Sequence, residues 1–301
     1  MRIIFMGSPD FAIPSLEAIS KKHELLAVVT ASDKPAGRGH HLQETEVKKW
    51  ALAHHVKLFQ PVNLKSGHFL AEIDKLKPDI FVVVAFRMIP PILMDKSIWG
   101  AINLHGSLLP KYRGAAPIQR AIMAGESHTG LTVFKLDSKI DTGQIIQQKM
   151  MPIGENTTGG EIYDQMKGLG AELLIEVLEA IESGKAKYSV QDESKVTAAP
   201  KIFREDCQLN KNENVQAIYN KIRALLPYPC AWFEWNGSAI KVLKADKIVE
   251  LHNETPGTLR SNQRKLYLVC TDGFIELLLI KPEGKKAMSG VEFINGSKLK
   301  I

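Results

Sequence analysis

Two polar side chains lie two residues apart in the otherwise apolar segment Ala101 to His105. Asn103 and His105 would point to the same face of a β-strand, because successive side chains alternate between the faces of a sheet. Gly106 follows directly and favours an exit turn at the carboxyl end of that strand, where open α/β sheets bind their ligands. An amide donor and an imidazole placed there could act on a bound ligand. On the pair alone, a hydrogen-bonded Asn and His in the core is an equally good interpretation.

The residues that follow in the chain favour a binding site over a core pair. The segment Ser107-Leu108-Leu109-Pro110 is too rigid and too apolar for a plain surface turn, and it would place backbone donors and an apolar wall beside His105. Such a surface suits a flat heteroaromatic ligand. Further along, the loop after another predicted strand contains Asp137 and Asp141. Because Asp141 could reach the same strand-end crevice, it is the expected partner of His105.

The Asn-x-His strand, continued by Ser-Leu-Leu-Pro and followed by Asp141-Thr142-Gly143, resembles the folate-dependent formyltransferases. The resemblance extends over essentially the whole chain. Further segments resemble the methionyl-tRNA formyltransferases within that group, and they are Met6-Gly-Ser-Pro-Asp-Phe-Ala12, Lys34-Pro-Ala-Gly-Arg-Gly39, Tyr112-Arg-Gly-Ala-Ala-Pro-Ile-Gln119 and Lys285-Lys-Ala-Met-Ser289.

The resemblance implies transfer of a formyl group from 10-formyltetrahydrofolate, the co-substrate, to the amino group of methionyl initiator tRNA. This reaction passes through a tetrahedral oxyanion and removes a proton from the attacking nitrogen, without any need for a metal. In this interpretation Asn103 donates a hydrogen bond to the formyl oxygen, His105 stabilises the oxyanion and transfers the proton, and Asp141 orients His105. The residues expected to bind the folate are Ser107, Leu108, Leu109, Pro110, Phe86, Met88, Ile89 and Asp137.

Basic residues in two regions are the expected tRNA contacts. Residues 201–301 hold 16 Lys and Arg against 11 Asp and Glu, so most of the net charge of +6 falls in the C-terminal third. Such basicity suits a polyanionic partner, although a solvated lysine-rich face would give the same count. The glycine-containing loop 33–41 is expected to close over the acceptor end of the tRNA, and a mobile surface loop is the alternative. The residues expected to contact tRNA are Lys34, Arg38, Lys201, Lys285 and Lys286.

The elements that must position these residues follow an α/β pattern. Short apolar runs alternate with amphipathic segments through the N-terminal two thirds, as in βαβ units. The run Ile80 to Phe86 is apolar on consecutive residues, which is typical of a parallel strand buried on both faces. Thr158 to Ile181 has leucines at helical spacing and predicts a long helix. We therefore predict an open, Rossmann-like, mostly parallel sheet with helices on both faces over residues 1–183.

A second, smaller domain is predicted after a linker. Residues 184–206 are polar and lack periodicity, which is typical of a linker. A helix predicted from Val215 to Leu226 is followed by short strands, with turns at Asn236-Gly237 and Asp272-Gly273. This arrangement predicts an OB-like β-barrel over residues 207–301, the expected tRNA-binding domain.

Composition and motifs argue against several other classes of protein. The three cysteines are widely spaced and form no Cys-x-x-Cys motif, which favours a reduced cytoplasmic setting and argues against a zinc site. No apolar stretch is long enough to span a membrane. The segment Gly7-Ser8-Pro9 lacks the further glycines of a dinucleotide fingerprint. We expect a cytoplasmic enzyme that acts as a monomer and without a metal.

Two departures from the family pattern fall near the expected binding surfaces. Phe86-Arg87 stands where the family usually has an aromatic residue followed by glycine, and Glu44-Thr45-Glu46 stands where a small residue and proline are usual. The rival functions are a formyltransferase for a nucleotide sugar or glycinamide ribonucleotide, a formyltetrahydrofolate hydrolase, and a non-catalytic RNA-binding protein of the same fold. The three catalytic candidates argue against the last of these, and the early cationic loop and basic C-terminal third argue against the others.

Overall fold

The computed structural model describes residues 1–36 and 41–297, and the chain divides into two compact units. The first unit comprises Met1–Gly114, His128–Pro152 and Tyr163–Ala199. The second unit comprises Ala115–Ser127, Ile153–Ile162 and the chain from Pro200 onward. The linker predicted over residues 184–206 falls across this boundary, because Ala199 is the last residue of the first unit.

The secondary-structure elements of the first 182 residues alternate as the sequence predicts. The strands are β1 Arg2–Gly7, β2 Glu24–Val29, β3 Lys34–Ala36, β4 His41–Gln43, β5 Leu58–Phe59, β6 Ile80–Val84, β7 Ala101–His105, β8 His128–Lys135 and β9 Ile145–Pro152. The helices are α1 Ile13–Lys22, α2 Glu46–Ala53, α3 Gly67–Leu76, α4 Pro91–Met94, α5 Pro117–Met123 and α6 Gly159–Glu182.

The main sheet is mostly parallel, which confirms the predicted fold class. Its strand order is β5-β2-β1-β6-β7-β8-β9. The pairs from β5 through β7 are parallel, whereas β8 and β9 continue the sheet in antiparallel pairs. Every residue of β6 is buried, as expected for a strand covered on both faces. β7 therefore lies between a parallel neighbour and an antiparallel one.

Helices cover both faces of this sheet. Phe81 and Val83 of β6 share a core cluster with Phe69 of α3. On the opposite face, a Cβ atom added to Gly170 of α6 would lie 2.6 Å from the Leu104 side chain of β7. Glycine at this position therefore lets α6 approach β7 closely, and this contact fixes the strand that carries the catalytic candidates.

The long helix α6 begins with a reciprocal capping arrangement. The side chain of Glu161 accepts a hydrogen bond from the backbone N–H of Thr158 at 2.7 Å, and the Thr158 hydroxyl accepts one from the backbone N–H of Glu161 at 3.3 Å. These two bonds satisfy backbone donors that a helix start would otherwise leave unpaired. The prediction of a helix from Thr158 to Ile181 agrees with the observed Gly159–Glu182 within one residue at each end.

The second unit contains short strands joined by tight turns, as predicted, and they pair in antiparallel directions. Its later elements are α7 Val215–Ala224, β10 Trp232–Trp235, β11 Ser238–Val249, β12 Leu259–Asn262, β13 Lys265–Val269, β14 Gly273–Pro282, β15 Met288–Ser289 and α8 Gly290–Ser297. The strand order is β10-β11-β14-β13-β12, with β15 paired to β14. Asn236 and Gly237 form the two-residue turn between β10 and β11, with φ angles of 49° and 75°. Positive φ at both residues is the reason an Asn-Gly pair predicts this hairpin.

Candidate active site

The strand β7 carries Asn103 and His105 on one face, as their spacing predicts. Asn103 lies beside Val83 of β6 and Phe134 of β8. Its side chain is half-buried, and its amide makes no hydrogen bond to another residue within the described ranges. His105, at the end of the strand, is only 7% exposed. Asn103 therefore offers an uncommitted donor beside a buried imidazole.

The imidazole of His105 is held through its Nε2 atom, and its Nδ1 atom faces the Asp141 carboxylate. Its Nε2 lies 2.9 Å from the backbone carbonyl oxygen of Tyr112, which can only accept a hydrogen bond, so this contact requires the hydrogen on Nε2. Its Nδ1 lies 3.7 Å from Oδ2 of Asp141. The ring also packs edge-on against Phe134, at a centroid distance of 6.5 Å and an interplanar angle of 86°. A ring with a single hydrogen therefore carries it on Nε2 and directs an unprotonated Nδ1 towards the carboxylate.

Asp141 reaches His105 from a loop whose backbone is held in an uncommon conformation. The φ angle of Asp141 is 53°, in the left-handed region that residues other than glycine seldom occupy. Its Oδ2 atom accepts a hydrogen bond of 2.8 Å from the backbone N–H of Gly114. The side chain of Asp141 is 16% exposed. The carboxylate is thus fixed in place next to the imidazole.

The turn after β7 is fastened to the two antiparallel strands. The hydroxyl of Thr132 on β8 donates to the backbone carbonyl of Ser107 at 2.7 Å and accepts from the backbone N–H of Leu109 at 3.0 Å. The amide of Gln148 on β9 donates to the backbone carbonyl of Leu109 at 2.9 Å. The fully buried Ser107 hydroxyl donates to the backbone carbonyl of Lys111 at 2.6 Å. The conformation of the turn after β7 therefore depends on Thr132 and Gln148, and neither residue belongs to a motif in the sequence.

Arg87, which stands where the family usually has glycine, is bound to a neighbouring loop. Arg87 donates to the backbone carbonyl of Val62 at 2.9 Å and to that of Pro61, and its guanidinium carbon lies 5.6 Å from the centre of the Phe86 ring. Phe86 itself packs against the core beneath the sheet. Among its neighbours, Met88 is 67% exposed and Ile89 is 3% exposed. The arginine side chain is thus engaged with the 61–62 loop.

Asp137 lies in the same loop as Asp141, and its carboxylate bonds to other residues of that loop. It accepts hydrogen bonds from the Thr142 hydroxyl at 2.8 Å and from the backbone N–H of Lys139 at 2.9 Å. Asp137 is exposed. These bonds stabilise the loop from which Asp141 projects.

Of the residues expected to contact tRNA, Lys34 lies in the first unit, and Lys201, Lys285 and Lys286 lie in the second. All four side chains are exposed. The Nζ atom of Lys201 lies 5.5 Å from the centre of the Phe203 ring. Arg38 lies outside the described residues.

Two acidic residues, Asp33 in the 33–41 loop and Glu44 next to it, pair with Lys48. Glu44 lies 2.8 Å from Lys48 Nζ, and Asp33 lies 2.5 Å from the same atom. Hydrogen bonds from Lys48 to Asp33 and Glu44 raise the pKa of Lys48. The negative charge of Glu44, one of the residues that depart from the family pattern, therefore has a cationic partner within the protein.

Sequence reasoning missed Gln191, which belongs to the polar segment predicted as a linker. Its side chain is 5% exposed and donates to the backbone carbonyls of Asp141 and Gly143, at 2.9 Å and 2.8 Å. Its oxygen accepts from Nη2 of Arg113 at 2.8 Å. No periodicity marks a single buried amide in a polar stretch, so the sequence held no signal for it.

Two further findings concern metal ligands and membrane-spanning helices. Within residues 1–36 and 41–297, no group of three or more His, Cys, Asp or Glu side chains could hold a metal ion. Over the same residues, every helix is too short or too polar to cross a membrane.

Comparisons with known proteins show the family to which the chain belongs. A family model described as formyl transferase matches residues 1–178, and one described as the formyl transferase C-terminal domain matches residues 201–298. A methionyl-tRNA formyltransferase of Flavobacterium psychrophilum is 40% identical over 303 residues, which is 98% of this chain and 96% of that protein. The chain belongs to the methionyl-tRNA formyltransferases, within the formyl transferase family.

Other relatives also match this chain over nearly its full length. The methionyl-tRNA formyltransferase of Fusobacterium nucleatum is 38% identical over 307 residues, covering 100% of this chain and 98% of that one. Among solved structures, an N-formyltransferase of Helicobacter canadensis in complex with folinic acid and dTDP-3-aminofucose superposes with a TM-score of 0.67 at 24% identity. That alignment covers 92% of this chain and 98% of the other. At this identity, the superposition supports the formyl transferase fold.

Proposed function

We propose that this protein transfers the formyl group of 10-formyltetrahydrofolate to the amino group of methionyl initiator tRNA. The observation that carries the proposal is the amide of Asn103, which has no hydrogen-bond partner among the described residues, beside His105, with the Asp141 carboxylate 3.7 Å from His105 Nδ1. This arrangement occurs in a chain that is 40% identical, over 98% of its length, to a protein named methionyl-tRNA formyltransferase.

The three side chains have complementary tasks in this reaction. 10-Formyltetrahydrofolate supplies the formyl group as an acyl donor. Asn103 donates a hydrogen bond to the formyl oxygen, where negative charge develops as the amine attacks. His105 accepts the proton of the attacking amine at Nδ1 and passes it to the departing folate nitrogen, so that protons balance over the transfer. Asp141 holds the ring and stabilises the positive charge that the ring gains.

The residues proposed to line the folate site provide a wall and an edge. Leu109 is 3% exposed and anchors the turn after β7, so the half-buried Leu108 next to it has a fixed backbone. The half-buried Phe86 supplies apolar surface in the segment after β6, and the buried Ile89 anchors that segment. A rigid apolar wall next to convergent polar groups suits a flat heteroaromatic ring. Ser107, Pro110, Met88 and Asp137 complete the proposed set.

The partner of the second unit is proposed to be tRNA. Exposed Lys201, Lys285 and Lys286 provide cations that attract phosphate without reading sequence. We assign the same role to Lys34 and Arg38 in the first 40 residues. We further propose that the enzyme acts as a monomer in the cytoplasm, where its tRNA substrate is charged.

The test is transfer of labelled formyl from 10-formyltetrahydrofolate to methionyl initiator tRNA. Free methionine, a nucleotide amino sugar and water are the competing acceptors. The expected result is labelling of the charged tRNA alone, abolished by His105→Ala and kept by His68→Ala, which removes an exposed histidine. Formate release or sugar labelling would overturn the tRNA assignment. Full activity of His105→Ala would overturn the proposed site.

A further inference from the structure

A polar segment of the first unit, residues 189–199, makes ordered contacts with the loops that hold the catalytic candidates. Ser189 forms a backbone bridge with Ile145 at the start of β9, with hydrogen bonds of 2.8 Å and 2.9 Å. At its other end, Ala199 donates its backbone N–H to the Arg113 carbonyl at 2.6 Å. A segment that is held by hydrogen bonds at both ends can fix the positions of the side chains between them.

The backbone of residues 112–114 connects this segment to both His105 and Asp141. The carbonyl of Tyr112 contacts Nε2 of His105, and the N–H of Gly114 donates to the carboxylate of Asp141. Thr197 holds the same stretch from the other side: its hydroxyl accepts from the Tyr112 N–H at 2.9 Å, and its carbonyl accepts from the Arg113 N–H at 2.9 Å. The orientations of His105 and Asp141 thus depend on the 189–199 segment through backbone groups.

Gln191 lies at the centre of these contacts and uses both ends of its amide. The nitrogen donates to the backbone carbonyls of Asp141 and Gly143, and the oxygen accepts from Nε and Nη2 of Arg113 at 3.0 Å and 2.8 Å. The other edge of the Arg113 guanidinium pairs with Glu193 at 2.7 Å. All four hydrogen-bonding positions of this nearly buried amide are therefore satisfied.

The loop that contains Asp141 and Gly143 needs hydrogen bonds from outside the loop to hold its conformation. Asp141 has a φ angle of 53°, which costs free energy for a residue with a side chain. A Cβ atom at Gly143 would lie 1.7 Å from the Lys135 carbonyl oxygen, so the loop passes tightly over the end of β8. The two hydrogen bonds from Gln191 fall on the carbonyls of these two residues. They hold the loop in the conformation that directs the Asp141 carboxylate towards His105.

We infer that Gln191 is a positioning residue for formyl transfer. It acts by holding the Asp141 loop and Arg113 in place beside His105. The expected effect of Gln191 on the rate of transfer rests on the proposed function. Its expected effect on the positions of Asp141 and Arg113 rests on the contacts alone. Only a primary amide offers two donors to the carbonyls and an acceptor to the guanidinium. Neither glutamate nor methionine, which have similar length, can do both.

The variants Gln191→Met and Gln191→Glu remove different sets of the Gln191 hydrogen bonds. Methionine removes both sets of hydrogen bonds, whereas glutamate keeps the acceptor towards Arg113 but has no donor for the carbonyls of Asp141 and Gly143. We expect both variants to lower kcat by about tenfold to a hundredfold, as small misplacements of catalytic groups do. We expect KM for either substrate to stay within about threefold. Val190→Ala, which removes an 81% exposed neighbour, is the matched control and should match the wild type.

A double-mutant cycle distinguishes positioning from a general loss of structure. If Gln191 acts through Asp141, Gln191→Met should change kcat by less than about twofold in an Asp141→Ala background. An equal loss of rate in both backgrounds would overturn the inference. A loss that appears in KM and Tm with kcat unchanged would also overturn it.

A second readout does not require activity. The amide proton of Gly114 reports its hydrogen bond to Asp141, and its NMR resonance should move in Gln191→Met and Gln191→Glu but not in Val190→Ala. An unmoved Gly114 resonance in both Gln191 variants would overturn the inference even if the wild type is fully active. Conversely, a wild type that transfers no formyl group to methionyl-tRNA would overturn the proposed function and leave the Gly114 resonance to decide the positioning role.

Discussion

The carboxylate of Asp141 lies 3.7 Å from the imidazole of His105, although the strand that leads towards Asp141 runs antiparallel to the strand that carries His105. The register pairs His105 with Thr132 and Ile102 with Lys135, so β8 ends level with the start of β7. The loop that contains Asp141 therefore has to return along the sheet before its carboxylate meets the imidazole. This return explains why the loop needs anchors from Gly114 and Gln191.

Removal of the Asp141 charge should slow the chemical step. Asp141→Asn keeps the shape of the side chain but removes the charge that stabilises His105 once it carries a second proton. We expect kcat to fall by about a hundredfold to a thousandfold, with KM little changed. Single-turnover formyl transfer measures this step directly. Asp164→Asn, on a 73% exposed carboxylate, is the control, and a rate for Asp141→Asn within threefold of wild type would contradict the assigned role.

Replacement of the Asn103 amide should act on the transition state rather than on binding. Asn103→Asp removes the donor and places an acceptor where the formyl oxygen gains negative charge. We expect a loss in kcat on the order of a hundredfold or more. Steady-state kinetics with both substrates varied separates kcat from KM, and Asn63→Asp on an exposed amide serves for comparison. A rise in KM with kcat preserved would assign Asn103 to ground-state binding.

Loss of the Arg87 side chain should weaken folate binding. Arg87→Ala removes the hydrogen bonds to the carbonyls of Pro61 and Val62 and the contact with Phe86. The segment that carries Phe86 and Ile89 would then be less ordered, so we expect KM for 10-formyltetrahydrofolate to rise by about threefold to tenfold. KM for methionyl-tRNA should stay constant. An equal rise in both KM values would show that the change is not confined to the folate site.

The lysines near the C-terminus should contribute a salt-dependent attraction for tRNA. The double variant Lys285→Ala, Lys286→Ala removes two exposed cations. We expect KM for methionyl-tRNA to rise and the slope of log KM against log salt to fall by about one for each phosphate that the variant no longer neutralises. Lys65→Ala, also exposed, should leave the slope unchanged. An unaltered slope in the double variant would place the tRNA elsewhere.

Alkaline pH should destabilise the second unit through its buried thiols. Burial raises the pKa of the Cys270 thiol from 9.0 to about 12. Because the unfolded chain loses this proton first, the contribution of Cys270 to the free energy of unfolding should be constant below about pH 9 and fall as the pH rises towards 12. Urea denaturation at about pH 8 and pH 10 should show a smaller fall for Cys270→Ala than for the wild type or for Thr271→Ala. Burial also raises the pKa of Cys207 and Cys230, so part of the fall should remain.

Local patterns in the sequence were sufficient for much of the fold. The run of apolar residues at Ile80–Val84 predicts a buried parallel strand, and the leucine spacing after Thr158 predicts α6. The Asn236-Gly237 pair predicts its hairpin because both residues tolerate positive φ. These features depend on side-chain periodicity and backbone sterics over a few neighbouring residues. Tertiary contacts do not alter them.

Elements without such patterns were not anticipated. The two-residue strand Leu58–Phe59 is too short to show alternation, and it exists because β2 offers an edge for it to pair with. The antiparallel direction of β8 was not anticipated either, because its residues 129–134 are all buried and thus show the burial on both faces that is typical of parallel strands. Strand direction is set by which connection closes the sheet.

The sequence by itself determined which side chains could do chemistry, and the tertiary structure decided which of them meet. Asn103 and His105 share a face because a strand repeats every two residues, so their pairing is a local property. The approach of Asp141 to His105 depends on the register between β7 and β8 and on a loop held in place by Gln191, fifty residues further along the chain. Contacts between distant segments are fixed by packing and hydrogen bonding of the whole unit, and no local pattern in a polar segment encodes them.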